Sequence, residues 1–180
     1  MHRIPAPRHL IAATAVGLVL ASAPAAHADS IAVYAGSASA PADSASVARA
    51  GGTNARVRVT LTVQGPDGLL FKGRIKTRGH DVTTAGGGTH RCDGTNGGAN
   101  PSAVPTPTAA LDDAARKRHF TWDGTWYASF DDFSVDTIKN VGGGGSAYWN
   151  ISVNGVSTPV GGCQFKLAAG DEVAFTWTAF

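Results

Sequence analysis

Between Arg56 and Val63 apolar and polar side chains alternate without a break, Val57, Val59, Leu61 and Val63 against Arg56, Arg58, Thr60 and Thr62. That period of two is the pattern of a strand with one buried face. Gly65-Pro66-Asp67-Gly68 combines a fixed φ at proline with permissive backbone at glycine and predicts a tight turn. Leu69 to Thr77 is then the returning strand of a hairpin. Residues 79–106 are rich in Gly, Asn, Thr and Pro, which predicts a long loop. After Pro107 the period changes: Leu111, Ala114 and Ala115 form a modest apolar face that predicts a short helix over 109–118, capped by Thr108. Asp112 and Asp113 lie nearer its positive end, and Arg116, Lys117 and Arg118 at its negative end.

From His119 onward the pattern is that of strands again. Phe120 and Trp122 precede an expected turn at Asp123-Gly124, followed by Trp126, Ala128 and Phe130 and then by Phe133, Val135 and Ile138. The run Gly142 to Gly145 is not expected to hold regular structure. It gives way to Tyr148-Trp149-Asn150-Ile151-Ser152-Val153, a hairpin turn at Asn154-Gly155, and a last strand over 171–178 that alternates Val173, Phe175 and Trp177. One short helix among several strands predicts an α+β domain, a small mixed β-sheet packed on that helix.

The first 28 residues follow a different logic. Arg3 and Arg8 open a segment whose apolar run, Leu10 to Leu20, is too short to span a bilayer, and Ala26-His27-Ala28 offers a small-residue cleavage site. This predicts a signal peptide and a protein that is secreted, extracellular or loosely associated with the cell wall. Residues 29–54, mostly Ala, Ser and Gly, hold few side chains to bury and predict a flexible leader. The domain itself is expected over 55–180. With 43% hydrophobic and 16% charged residues in a chain of 180, one domain with a real core is expected rather than a set of membrane spans. Removal of Arg3 and Arg8 from the 15 Lys and Arg leaves the basic count equal to the 13 Asp and Glu. The exported domain is therefore neutral, and the charge balance gives no case for nucleic acid. Cys92 and Cys163 are the two cysteines, and in an oxidising compartment they are expected to form a disulfide.

The order of Trp149, Asn154-Gly155, Gly162, Phe165, Leu167, Gly170-Asp171 and a closing aromatic strand in YWNISVNGVSTPVGGCQFKLAAGDEVAFTW resembles the transcobalamin-like C-terminal domain family. The upstream segments ARVRVTLTVQG, LLFKGRIK, AALDDAA and FDDFSVDTI follow the same order, so the resemblance covers about Ala55 to Phe180. It implies a compact β-grasp-like domain, a mixed sheet on one helix, of a kind found in bacterial secreted or surface proteins mostly of unknown function. In animal cobalamin carriers a related domain closes over the vitamin, so the resemblance also brings in a cobalamin-type ligand. The chain departs from the family pattern in its glycine-rich insert around Cys92, in Cys163-Gln164 before Phe165, and in the four-glycine run.

Three constellations carry candidate chemistry. Trp122, Trp126, Tyr127, Tyr148, Trp149, Phe165 and Trp177 supply rings that fill a core or meet apolar and sugar faces. Of these, Trp126, Tyr148 and Trp149 are expected to border a shallow ligand or partner surface. Arg56, Arg58, Lys72, Arg74, Lys76 and Arg78 all fall opposite the apolar face of the first hairpin. They form either a basic patch for an anionic polymer or a solvated face partnered by Asp131, Asp132 and Asp136. His80, Asp81, His90, Cys92 and Asp93 have zinc-ligand chemistry but match no established spacing, and an oxidised Cys92 would not ligate; no metal and no cofactor is expected. No nucleophile elbow, metalloprotease helix, phosphate loop or complete dinucleotide fingerprint occurs, and Asp131 and Asp132, adjacent on a strand, would point to opposite faces. The expectation is a non-catalytic binding module for a small ligand or cell-surface glycan. The alternative is an interaction protein of the cell envelope that binds another protein along a sheet edge.

Overall fold

The computed structural model describes residues 54–143 and 145–180. The expected signal peptide and all of the expected leader but its last residue, Asn54, lie outside the described residues. Asn54 already belongs to the domain, because its side-chain amide donates to the Gly79 carbonyl at 2.9 Å and accepts from the Gly79 N–H at 2.7 Å.

The first hairpin forms as the alternation dictates. Strands β1 (Val57–Gly65) and β2 (Gly68–Thr77) pair antiparallel with Val59 opposite Ile75 and Val63 opposite Phe71. A bulge after Val63 absorbs Leu70. The domain is mainly sheet, a small mixed α+β fold. Its principal sheet has the order β2-β1-β10-β8-β9, where β8 is Ala147–Val153, β9 Val156–Ser157 and β10 Glu172–Ala179. β10 runs parallel to β1 and antiparallel to β8, bringing Phe175 beside Val63 and Ile151 and Trp177 beside Trp149. The expected turn at Asn154-Gly155 is present, with φ of 54° and 80°, the positive pair that a two-residue hairpin requires.

Helix α1 (Pro107–Arg118) lies on one face of this sheet and places Ala110, Leu111 and Ala114 against Val59, Leu61, Ile75 and Phe175, all buried. Its start differs from expectation. The cap is Thr106, whose hydroxyl accepts from the Ala109 N–H at 3.4 Å, and Pro107 occupies the first turn. Proline is at home there because its missing N–H would have had no partner in any case. Thr108 is instead buried within the helix. Asp112 and Asp113 consequently sit mid-helix, with no acidic residue in the first turn, while Arg116, Lys117 and Arg118 do occupy the last.

The segment 79–106 is not one long loop. It contains a second hairpin, β3 (His80–Thr84) and β4 (Gly88–Cys92). The hairpin's composition conceals it, because Val82 is the one large aliphatic side chain of residues 80–92 and other contacts hold it. Thr83 and Thr89 hydroxyls meet at 2.8 Å, Thr84 donates to the Gly124 carbonyl at 2.7 Å, and Val82 and Cys92 are buried against Phe133 and Cys163. Nor is Asp123-Gly124 a turn. Strand β5 (Trp122–Tyr127) runs through it with a bulge, and the chain reverses over residues 128–131 before β6 (Asp132–Ile138). Gly142 joins Val141 in a short third strand, β7 (Val141–Gly142), against β6.

Cys92 and Cys163 form the expected disulfide, 71 residues apart. No helix among the described residues is long and apolar enough to cross a membrane.

Candidate functional site

The turn between β5 and β6 and the loop that carries Cys163 face each other and define a groove of about 610 Å³, lined by Tyr127, Phe130, Ser134, Pro159, Val160 and Gln164. Neither wall has much apolar burial of its own. Polar ties hold them instead. The Gln164 side-chain amide donates to the Phe130 carbonyl at 2.7 Å, and Asn100 donates to the Gln164 and Gly94 carbonyls, each at 2.8 Å. Asn96, 1% exposed, donates to the Arg91 and Asp131 carbonyls at 2.8 and 2.9 Å. The Asp131 carboxylate accepts from the Gly97 N–H at 2.8 Å. The disulfide pins the whole arrangement from below.

Asp132 forms the floor. Its carboxyl accepts from the Phe133 N–H at 2.8 Å and, through both oxygens, from the Cys163 N–H at 3.1 and 3.0 Å. Burial pushes it up to about 7, further than these N–H donors, which favour the charged form, can pull it back; the neighbouring Asp131 charge adds to the rise. Gly161 is what lets the loop close over this carboxyl, since a Cβ there would lie 2.1 Å from Asp132 Oδ2. Asp131, with φ of 50°, turns away towards Gly97, so the two acids do not face a common point.

A second groove of about 470 Å³ shares Tyr127 and Ser134 with the first and continues past Asp136 to Tyr148, Trp177 and Phe180. Tyr148 and Phe180 stack with ring centres 5.2 Å apart. Exposure is high for rings of this size, 48% at Tyr127, 68% at Phe130 and 84% at Phe180. Large apolar side chains that water reaches on adjoining walls mark a contact surface better than any one alone.

The three aromatic residues expected to border a ligand surface are thus separated. Tyr148 lines the second groove. Trp149 is 5% exposed and lies in the core beside Trp177, 5.2 Å between centres. Trp126 lies flat on His90 at 4.0 Å and edge-on to Phe133 at 4.9 Å, bracing the small sheets. In both strands a tryptophan faces inward and its tyrosine neighbour outward, because consecutive side chains point to opposite faces. Phe130, Phe180, Pro159 and Val160 were missed. A ring at a chain reversal, as at Phe130, was the available signal.

The six cations are brought together. All are exposed, and Arg58 stands directly opposite Lys76, Thr60 opposite Arg74 and Thr62 opposite Lys72 on the face away from the core. Asp131, Asp132 and Asp136 do not partner them: the first two serve the groove, and Asp136 accepts from the Thr125 hydroxyl at 2.7 Å. The ion pairs among the described residues join His80 and Arg116 to Asp112 and Asp113.

The potential zinc ligands have other employment. Cys92 is in the disulfide, the His90 ring covers Trp126, and His80 bonds through Nε2 to Asp112 at 2.9 Å and through Nδ1 to the Arg78 carbonyl at 2.8 Å. Burial alone would lower the His80 pKa, but these two bonds and the Asp113 charge outweigh it and hold the ring above its usual range. Among the described residues no three of His, Cys, Asp or Glu cluster as a metal site.

Residues 125–179 match the family model of a domain of unknown function, DUF4430, which is a transcobalamin-like C-terminal family. The matched span covers under a third of the chain. It runs from within β5 to the end of β10 and so carries the aromatic residues of both grooves except Phe180, while the basic hairpin, α1 and Cys92 lie before it. A search of curated proteins finds no match to the chain.

Proposed function

We propose that this protein is a secreted, non-catalytic binding module whose joined aromatic grooves take a small ligand bearing both an apolar face and hydroxyl groups, a short cell-surface glycan above all. The observation that carries this reading is the continuous wall of exposed rings, Tyr127, Phe130, Tyr148 and Phe180, interrupted by the polar groups of Ser134, Gln164 and Asp136. Rings supply broad contact with the C–H faces of a sugar at small entropic cost, and the interleaved amide, hydroxyl and carboxyl groups suit its hydroxyls. A cobalamin-type ligand enters this reading through the family resemblance alone.

The strand order supports a β-grasp-like architecture: a leading hairpin, a helix crossing one face, and the closing strand inserted parallel to the first at the centre. Export accords with the disulfide and with the expected signal peptide. The alternative of partner binding by strand addition gains less support, because edge strand β2 carries charged side chains at alternate positions and edge strand β9 spans two residues.

Calorimetric titration with wall-derived oligosaccharides and with a corrinoid tests the proposal. A saturable signal is expected for a glycan, weakened at least about tenfold by Tyr127→Ala or Phe130→Ala. Thermal stability should move by no more than about 0.5 kcal/mol at so exposed a site as Phe130. Absence of heat with every glycan, or binding untouched by both substitutions, overturns it.

A further inference from the structure

The cations of the first hairpin lie apart from the grooves and have no part in them. We propose that the open face of β1 and β2 is a second binding site, for a linear polyphosphodiester carrying one negative charge per monomer, of the polyol phosphate type. Lys72, Arg74 and Lys76 occupy alternate positions of β2, with Arg78 just past its end, so the side chains of the three leave one face at intervals of about 6.6–6.8 Å along the strand. Arg58 stands on the neighbouring β1 in register with Lys76, and Arg56 lies just before the start of that strand.

Protection of an edge strand against aggregation accounts for the lysines and arginines of β2. It does not account for Arg58, on a strand paired on both sides, between β2 and β10. Like charges directly opposite one another on a sheet are destabilising, and the fold retains that cost at Arg58 and Lys76 with no acidic partner among the described residues to relieve it. Glu172 shares the face, in register with Thr60 on the neighbouring strand, and makes no ion pair with the array. Repulsion that the folded chain leaves uncompensated is repaid when a ligand supplies the counter-charge.

The surface is also shaped for oxyanions. Two depressions, of about 250 and 220 Å³, share Arg58 and Arg74; one is completed by Thr60 and Gly170, the other by Lys76 and Lys117. Guanidinium groups bind phosphate oxygens in pairs, whereas ammonium groups act as point charges. Thr60 and Thr62, half-buried beside the cations, place hydroxyls where the polyol links of such a chain would run. A flexible polymer of matching repeat can thus engage successive cations along the strand, each contact adding to a salt-sensitive total.

The test measures binding of the purified chain to poly(glycerol phosphate) across a salt series, with a polyuronate and oligothymidylate of similar charge as comparisons. Affinity for poly(glycerol phosphate) should exceed that for both and fall steeply with salt. The log–log slope should become shallower by about one for each of Arg58→Gln, Arg74→Gln and Lys76→Gln, and the triple variant should lose at least about tenfold at low salt. Arg91→Gln, on the other hairpin, should leave binding unchanged. The three variants should melt no lower than the parent, since each relieves repulsion, so lost binding is not lost folding. No binding at low salt, equal loss with Arg91→Gln, or tighter binding to the polyuronate or to oligothymidylate overturns the proposal. Glycan binding in the grooves stands or falls separately, because Tyr127→Ala should leave this salt slope intact.

Discussion

Around the principal sheet, Val59, Leu61, Ile75 and Phe175 from its strands, with Leu111 from α1 and Leu167 from the loop before β10, are each buried to 2% exposure or less, and those strands carry their own apolar alternation. Beside it, the hairpin β3–β4 and the three strands β5–β7 share a much smaller cluster of Val82, Cys92, Phe133 and Cys163, with Trp122 and Trp126 half-buried against it. That second region is completed by a covalent bond and by side-chain amides that satisfy backbone carbonyls. The first is held by area removed from water, the second by staples. The candidate grooves lie chiefly on the stapled region, where loops can be fixed in position without being buried. A rigid sheet thus provides the scaffold, and stapled loops provide the surface.

Three perturbations separate the two regions, in falling order of expected effect. Phe175→Ala removes the largest fully buried side chain of the principal core and should cost about 3–5 kcal/mol, lowering the melting point of the whole domain cooperatively. Uniform loss of amide-exchange protection would confirm that this core carries global stability; loss confined to β10 would contradict it. Next, replacing both cysteines by serine opens a loop of 71 residues and should cost about 2–4 kcal/mol. Hydrogen exchange should then rise first in β3, β4 and the loop around Gly161, while β1 and β10 stay protected. Exchange rising equally in both sheets would remove the distinction drawn between them.

The third concerns pH. Asp132 is raised to about 7 in the fold, so the folded state favours its protonated form. The sign follows: its contribution is complete below the usual carboxylate range, near 3.8, and is lost as pH rises towards 7. His80, also raised, adds a loss of the same sign above its ordinary value. Asp132→Asn keeps a neutral side chain at every pH but gives up acceptance from Cys163 by one of its two atoms, so the net effect should be about 1–2 kcal/mol. Its melting point should vary less between pH 4 and 7 than that of the parent and should exceed the parent's at pH 8. Parallel pH profiles would show that Asp132 does not titrate in this range.

Legibility in the sequence divides along the same line. The alternation in β1, β2 and β10, the Asn154-Gly155 turn, the existence of α1 and the cysteine pair could all be read because each rests on local chemistry: period, φ preference or oxidation state. The hairpin β3–β4 escaped notice because one valine gives no period, and its stability comes from Phe133 and Cys163, distant in the chain. The glycine at 124 signalled a turn but serves a bulge, where a Cβ would lie 2.6 Å from the Ser134 carbonyl oxygen, a constraint visible only across the strand pair. Thr106 displaced Thr108 as helix cap because proline begins helices as readily as it ends them.

By itself the sequence determined that a half-buried sheet, one helix and a long-range disulfide would form, and that six cations would share one face, since side-chain alternation needs no partner to be predicted. It determined that Trp126 and Tyr127, like Tyr148 and Trp149, point to opposite sides. Which ring of each pair meets water was decided by the tertiary structure, through whatever else covers that side of the strand: His90 over Trp126, Trp177 against Trp149, and against Tyr127 only the edge of Phe130, itself exposed, among the rings of the described residues. Burial is a property of neighbours brought from far along the chain, and a local pattern carries no record of them.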